Sequence, residues 1–132
     1  MIFVDTSAVY ALADARDPNH ELATHAMEAS LASAEEFLIH SYVISEAANL
    51  LQHRMGYDAA QAFLDGVDNY QVHWITREEH DDAVALFRER GLRRLSLVDC
   101  ASFVVMRRHG VTEGLFFDAD FEREGFRLYG GG

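Results

Sequence analysis

Five acidic side chains sit where the patterning of the chain would bring carboxylates together. Asp5 follows the apolar run Ile2-Phe3-Val4, and Asp118 with Asp120 follows Leu115-Phe116-Phe117. Glu46 shares a helical face with Val43 and Leu50, and Asp99 shares one with Leu95, Phe103 and Met106. A carboxylate on a core-facing stripe is unusual, because unpaired charge is costly to bury. Most of these residues also fit plainer roles. Asp5 fits a helix N-cap, as do Thr6 and Ser7 beside it, and Asp99 fits the third position of a capping box with Ser96. Asp118 and Asp120 fit a turn. Glu46 fits none of these: it is too deep in its helix to cap, and Arg54 lies beyond helical reach.

Carboxylates that meet at one end of a sheet need a counter-charge. Two of them roughly 4 Å apart repel by about 4 kcal/mol at an effective dielectric near 20. The chain has no Lys, and no Arg lies three or four residues from Glu46 or Asp99. Hard divalent cations suit all-oxygen sites, and Mg²⁺ takes a few carboxylates while keeping several waters. Such an ion polarises a phosphoryl oxygen and acidifies a bound water, so the chemistry that fits is phosphodiester hydrolysis.

The elements that must position these groups read as strands alternating with helices. Residues 2–4 read as a strand and 6–13 as a helix. Asp17-Pro18 opens a helix to residue 34, with proline tolerated in the first turn. Residues 37–39 are a second strand, after which Ser41 caps a helix that Gly56 ends. A helix over 58–70 and a strand over 72–75 follow. Thr76 with Glu79 is a capping-box pair opening a helix to Arg90, closed by Gly91. Ser96 with Asp99 opens another, running to His109-Gly110. Strands over 114–117 and 126–128 complete the chain. This alternation predicts one α/β domain over residues 1–129, with a central parallel sheet flanked by helices on both faces, and a glycine tail over 130–132. The ligand crevice of such a sheet lies beyond the C-terminal ends of its strands.

Composition narrows the function classes. At 132 residues and 49% hydrophobic, the chain can build one real core and is not disordered. Its 22 acidic residues against 11 arginines leave a net charge of −11, which argues against tight, non-specific nucleic-acid binding. Arg93, Arg94, Arg107 and Arg108 could offset this locally, although each reads as part of a solvated face. The absence of Lys excludes Schiff-base and Walker-lysine chemistry. The lone Cys100 cannot form an internal disulfide and reads as a small buried hydrophobe. None of the seven His residues pairs with another at helical metal-site spacing, so they read as surface or core residues. No run is long and apolar enough to span a bilayer, and the N-terminus lacks a basic leader; a cytoplasmic protein without membrane contact is expected.

Four motifs in order carry a family resemblance: hhhDTS over residues 2–7, SxxxSE over 41–46, SLVDCA over 96–101 and DADF over 118–121. Together they resemble the PIN-domain ribonucleases, most closely the VapC-like toxins of bacterial toxin–antitoxin pairs. The resemblance implies a metal-dependent endoribonuclease in which Asp5, Glu46, Asp99 and Asp118 bind Mg²⁺, or Mn²⁺ in its place. Ser7 would orient Asp5 or a metal-bound water, and Asp120 would be a further metal ligand or an auxiliary acid. A small antitoxin protein whose tail enters the acidic crevice, an RNA substrate and a homodimer are implied with it. The chain departs from the family at Phe116, where Thr or Ser is usual, so a hydroxyl near the metal is lost and Asp120 becomes a rival fourth ligand.

Other readings differ in their requirements. A DxD phosphatase motif at Asp118 and Asp120 would sit after the last strand rather than the first, and both it and a receiver domain usually employ a lysine. A PIN-like module that only binds protein would keep its partner in Asp99→Asn and have no nuclease activity to lose.

Overall fold

The computed structural model describes residues 1–130. Residues 131–132 of the expected glycine tail lie outside the described residues. The apolar run Ile2–Val4 forms β1, wholly buried as a mid-sheet strand must be. There follow α1 (Thr6–Ala13), α2 (His20–Ser33), β2 (Phe37–His40), α3 (Ser41–Met55) and α4 (Tyr57–Gly66). A 3₁₀ turn (Val67–Asn69), β3 (Gln71–His73), α5 (Arg77–Arg90) and α6 (Leu97–Arg108) come next. The chain closes with β4 (Glu113–Leu115), α7 (Ala119–Arg123) and β5 (Arg127–Leu128). No helix among the described residues is long and apolar enough to cross a membrane.

All strands pair in parallel, in the order β3-β2-β1-β4-β5. Parallel crossovers are right-handed almost without exception. Winding outward from β1 to β3 therefore lays α1 to α4 on one face. Returning to β4 and on to β5 lays α5 to α7 on the other, as the alternation predicted. The winding reverses between β1 and β4, and a parallel sheet opens its crevice at that reversal. Asp5 and Asp118 follow those two strands, and the Asp5 N–H donates to Leu115 O at 3.0 Å.

Close pairing of β1 with β4 depends on Gly114. A Cβ there would lie 2.9 Å from Phe3 O and 3.1 Å from the Phe116 ring. Around this seam the core is aromatic: Phe3, Phe103, Phe116 and Phe121 are fully buried. Phe116 stacks on Phe121 with ring centroids 4.6 Å apart, and Phe103 meets Phe121 edge-on at 4.9 Å.

Several boundaries differ from the sequence expectation, for local reasons. Helix α3 is capped by His40, whose Nδ1 accepts from the N–H groups of Tyr42 and Val43. Burial pushes the His40 pKa down to about 3, which keeps that nitrogen unprotonated. Its Nε2 then carries the proton and donates to Ser102 Oγ, 2.8 Å away. Ser41 is released from capping, and its hydroxyl accepts from Ile75 N–H instead. That bond turns the chain away from the sheet, so β3 ends at His73 rather than residue 75. Around Pro18 the chain makes a turn in which Asp17 accepts from Asn19 N–H, delaying α2 to His20. Helix α7 was not expected at all; the sequence there reads as a turn.

Candidate active site

Asp5 is buried at the N-cap of α1, and its Oδ2 accepts from Ser7 N–H at 3.3 Å and Ser7 Oγ–H at 2.7 Å. The same Ser7 hydroxyl accepts from Phe117 N–H at 3.2 Å, tying the loop after β4 to the start of α1. Asp99 completes the expected capping box: its Oδ2 accepts from Ser96 N–H, and its own N–H donates to Ser96 Oγ. Asp118 caps α7, its Oδ1 accepting from Asp120 N–H. Each of the three aspartates thus uses one oxygen to cap a helix. The other oxygen has no hydrogen-bond partner among the described residues. Glu46, half-buried on α3, has neither hydrogen bond nor ion pair among them.

Asp5, Ser7, Glu46 and Asp118 line one cleft of about 320 Å³ with Asp17 and Arg54. Burial first, and then the charge of Asp99, raises Asp5 to a pKa of about 6 despite its bonds from Ser7. Burial likewise raises Asp99, with repulsion from Asp118 and Glu46 adding to it. Asp99 thus acts through space on Asp5, and Asp118 and Glu46 act on Asp99, although Asp99 itself is not among the residues lining this cleft. No Arg or His forms an ion pair with any of them among the described residues. The one cation lining the cleft, Arg54, instead lies over the Tyr10 ring, 5.0 Å from its centroid. Hard carboxylate oxygens, concentrated and left without counter-charge, are a donor set that fits a divalent metal ion.

Asp120 is placed differently. Its Oδ1 accepts from Arg94 at 3.1 Å and Arg123 at 2.9 Å, and its buried Oδ2 has no partner. Burial acts to raise its pKa, but the bonds from Arg123 and Arg94 prevail and hold it low.

The chain matches the model of the PIN domain over residues 2–126. It belongs to the PIN-domain family. Among relatives, it is 33% identical to the 23S rRNA-specific endonuclease VapC20 of Mycobacterium tuberculosis, covering 96% of this chain and 95% of that one. The crystal structure of VapC20, described as a sarcin-ricin loop cleaving toxin, superposes with a TM-score of 0.85 at 32% identity, covering 96% of each chain. PAE2754 from Pyrobaculum aerophilum shares the fold, with a TM-score of 0.67 at 24% identity, covering 97% of this chain and 88% of that one.

In this PIN domain Phe116 does not face the cleft. Its ring belongs to the aromatic core, and the apolar residues that line the cleft are Leu50 and Phe117 instead. Sequence reading missed the Arg54–Tyr10 stack and the clasp on Asp120. The Arg54–Tyr10 stack and the Arg94–Asp120 pair join residues far apart in the chain, and Arg123 is brought to Asp120 only by the unforeseen α7. Arg94 was visible only as one of several charged positions. Cys100 is buried, and burial pushes its thiol up to about 11, consistent with an inert core residue.

Proposed function

We propose that this PIN domain is a VapC-type endoribonuclease toxin whose Mg²⁺, or Mn²⁺, is held by Asp5, Glu46, Asp99 and Asp118. The observation that carries the reading is the cleft shared by Asp5, Glu46 and Asp118 without an ion-pair partner among the described residues, with Asp99 near enough for its charge to add to the burial that raises Asp5. When bound, the cation would polarise an RNA phosphoryl oxygen and activate water for hydrolysis.

The protein's own groups set the stage for that chemistry. Ser7 fixes the Asp5 carboxylate and holds the neighbouring backbone at Phe117, so the β1 and β4 acids keep their spacing. The helix caps at Asp5, Asp99 and Asp118 orient one oxygen of each. Arg54 is placed to meet a phosphate along the cleft. Asp120, neutralised by Arg94 and Arg123, serves as the auxiliary acid that secures α7 rather than as a fourth ligand.

The likeness to VapC20 supports 23S rRNA as substrate and, through its description as a toxin, a small antitoxin as partner; a homodimer and a cytoplasmic site of action belong to the same proposal. A purely protein-binding module would be favoured by Phe116 in place of a hydroxyl and by the acidic surface; the Phe116 ring is buried in the core and offers no contact to a partner. The test is cleavage of 23S rRNA and of unstructured RNA by the antitoxin-free protein, in Mg²⁺, in Mn²⁺ and in chelator, beside Asp99→Asn. Cleavage that needs metal and disappears in the variant is expected. Persistence in chelator would contradict the reading.

A further inference from the structure

Away from the carboxylate cleft, a second cluster gathers ligands of a different chemistry. His73 ends β3, Glu79 is the third residue of α5, and His109 is the C-cap of α6. His73 Nε2 lies 2.7 Å from Glu79 Oε1, and His109 Nε2 lies 3.8 Å from Glu79 Oε2. The two imidazole centroids are 4.5 Å apart. One ligand atom from each residue falls within 4.8 Å of the other two. We propose that His73, Glu79 and His109 form a second metal site, one for zinc or another borderline transition-metal cation.

The donor set selects the metal. Two imidazoles and a carboxylate suit Zn²⁺, whereas Mg²⁺ prefers the all-oxygen surroundings of the acidic cleft. A tetrahedral ion with ligands at about 2.1 Å keeps them roughly 3.4 Å apart. The present separations, 2.7 Å to Oε1 and 3.8 Å to Oε2, engage different oxygens of Glu79, so side-chain rotation has to bring one oxygen and both imidazoles to that spacing from within the 4.8 Å they now span. Glu79 is the fixed point: it is buried, and Oε1 accepts from Thr76 N–H at 2.9 Å within the capping box. Such a bond orients a ligating carboxylate. His109 is the adjustable point, with a side chain 40% exposed at a helix end. Without metal, a hydrogen bond from His73 and a looser ion pair with protonated His109 would each engage one oxygen of Glu79. A bound ion would join all three residues. It would clasp the edge strand β3 to the start of α5 and the end of α6, and the exposed side leaves a fourth position to water.

The site can be tested without reference to nuclease activity. Protein stripped with chelator and dialysed is titrated with Zn²⁺ in excess Mg²⁺, following bound zinc and the melting temperature, with Co²⁺ absorption reporting the ligand set. One zinc per chain, a raised melting temperature and the strong visible bands of four-coordinate Co²⁺ are expected. His109→Ala keeps the capping box and the His73–Glu79 pair, and circular dichroism checks its fold. It should weaken zinc binding by at least about tenfold, while Asp99→Asn leaves binding intact. Zinc that survives His109→Ala, zinc that is lost in Asp99→Asn, or no zinc bound beside Mg²⁺ would each overturn the proposal.

Discussion

At Asp5 the carboxylate caps α1 through Oδ2, and no side chain among the described residues bonds its second oxygen; Asp99 and Asp118 likewise cap through one oxygen each. Capping and metal binding, which looked like competing roles in the sequence, are therefore compatible in one side chain. Burial, with repulsion between acids adding to it, makes the charges of Asp5 and Asp99 costly to hold in the folded protein. Asp5 has a folded pKa of about 6, above its ordinary value of 3.8, so ionising it opposes folding. Its destabilisation is fully present above pH 6 and relieved as pH falls from 6 toward 4. Asp5→Asn and Asp99→Asn keep an oxygen for capping while removing charge. Both are expected to raise the melting temperature of chelator-treated protein at pH 7, by about 1–3 kcal/mol of stability for Asp5, and to abolish cleavage. A lower melting temperature for both would show that the acids are not in mutual strain. Glu46 was legible in the sequence because helical periodicity put it on an apolar face with no cap to serve. The guanidinium partners of Asp120 were not, since Arg94 reaches it from a separate segment and α7, which places Arg123 beside it, was itself unforeseen.

The elements explain which parts of the site are fragile. Gly114 lets β1 and β4 approach, and those strands carry Asp5 and Asp118. Gly114→Ala puts a methyl against Phe3 O and should cost about 1–3 kcal/mol in denaturant unfolding, with cleavage falling as the acids separate. An unchanged unfolding midpoint would remove that seam from the account. A second clasp joins helices: Glu124, just after α7, receives Arg90 from α5 and Arg107 from α6. The Arg90 bond is the main cause holding Glu124 down near pKa 2, with Arg107 adding to it against the effect of burial. Because that pKa is depressed from 4.5, the stabilisation is present above pH 4.5 and lost as pH falls toward 2. Acid titration of unfolding should accordingly be shallower over that interval in Glu124→Gln. Equal slopes would mean the clasp contributes nothing. The capping boxes at Thr76 and Ser96 were readable because they are local devices. Helix α7 has only five residues, too few for periodicity to register, and is held by Phe121 in the aromatic core. The His40 cap was hidden because it needs a neutral imidazole, which burial in the finished fold supplies.

Across the whole molecule, a net charge of −11 sits uneasily with an RNA substrate. The arginines do not assemble into a basic track. Arg94 and Arg123 serve Asp120, Arg90 and Arg107 serve Glu124, and Arg108 serves Glu78 and Asp82. Arg54 is what remains in the cleft. On the proposed function, RNA is held by few phosphate contacts and divalent cations supply the remaining neutralisation. With about two such contacts on single-stranded RNA, affinity should fall only about five- to tenfold between roughly 50 and 200 mM monovalent salt at fixed Mg²⁺. A loss of a thousandfold would reveal a basic surface absent from this arrangement. The sheet order itself, with its reversal between β1 and β4, was beyond the sequence, which announced strands and helices but not their neighbours. That reversal brings Asp5 and Asp118, distant in the chain, to one cleft. The most direct test measures cleavage of 23S rRNA in Mg²⁺ by folded Asp5→Asn, Glu46→Gln, Asp99→Asn and Asp118→Asn proteins against the unaltered chain. A single centre predicts that every one of the four loses at least about a hundredfold in rate. Wild-type cleavage by any one of them would contradict it.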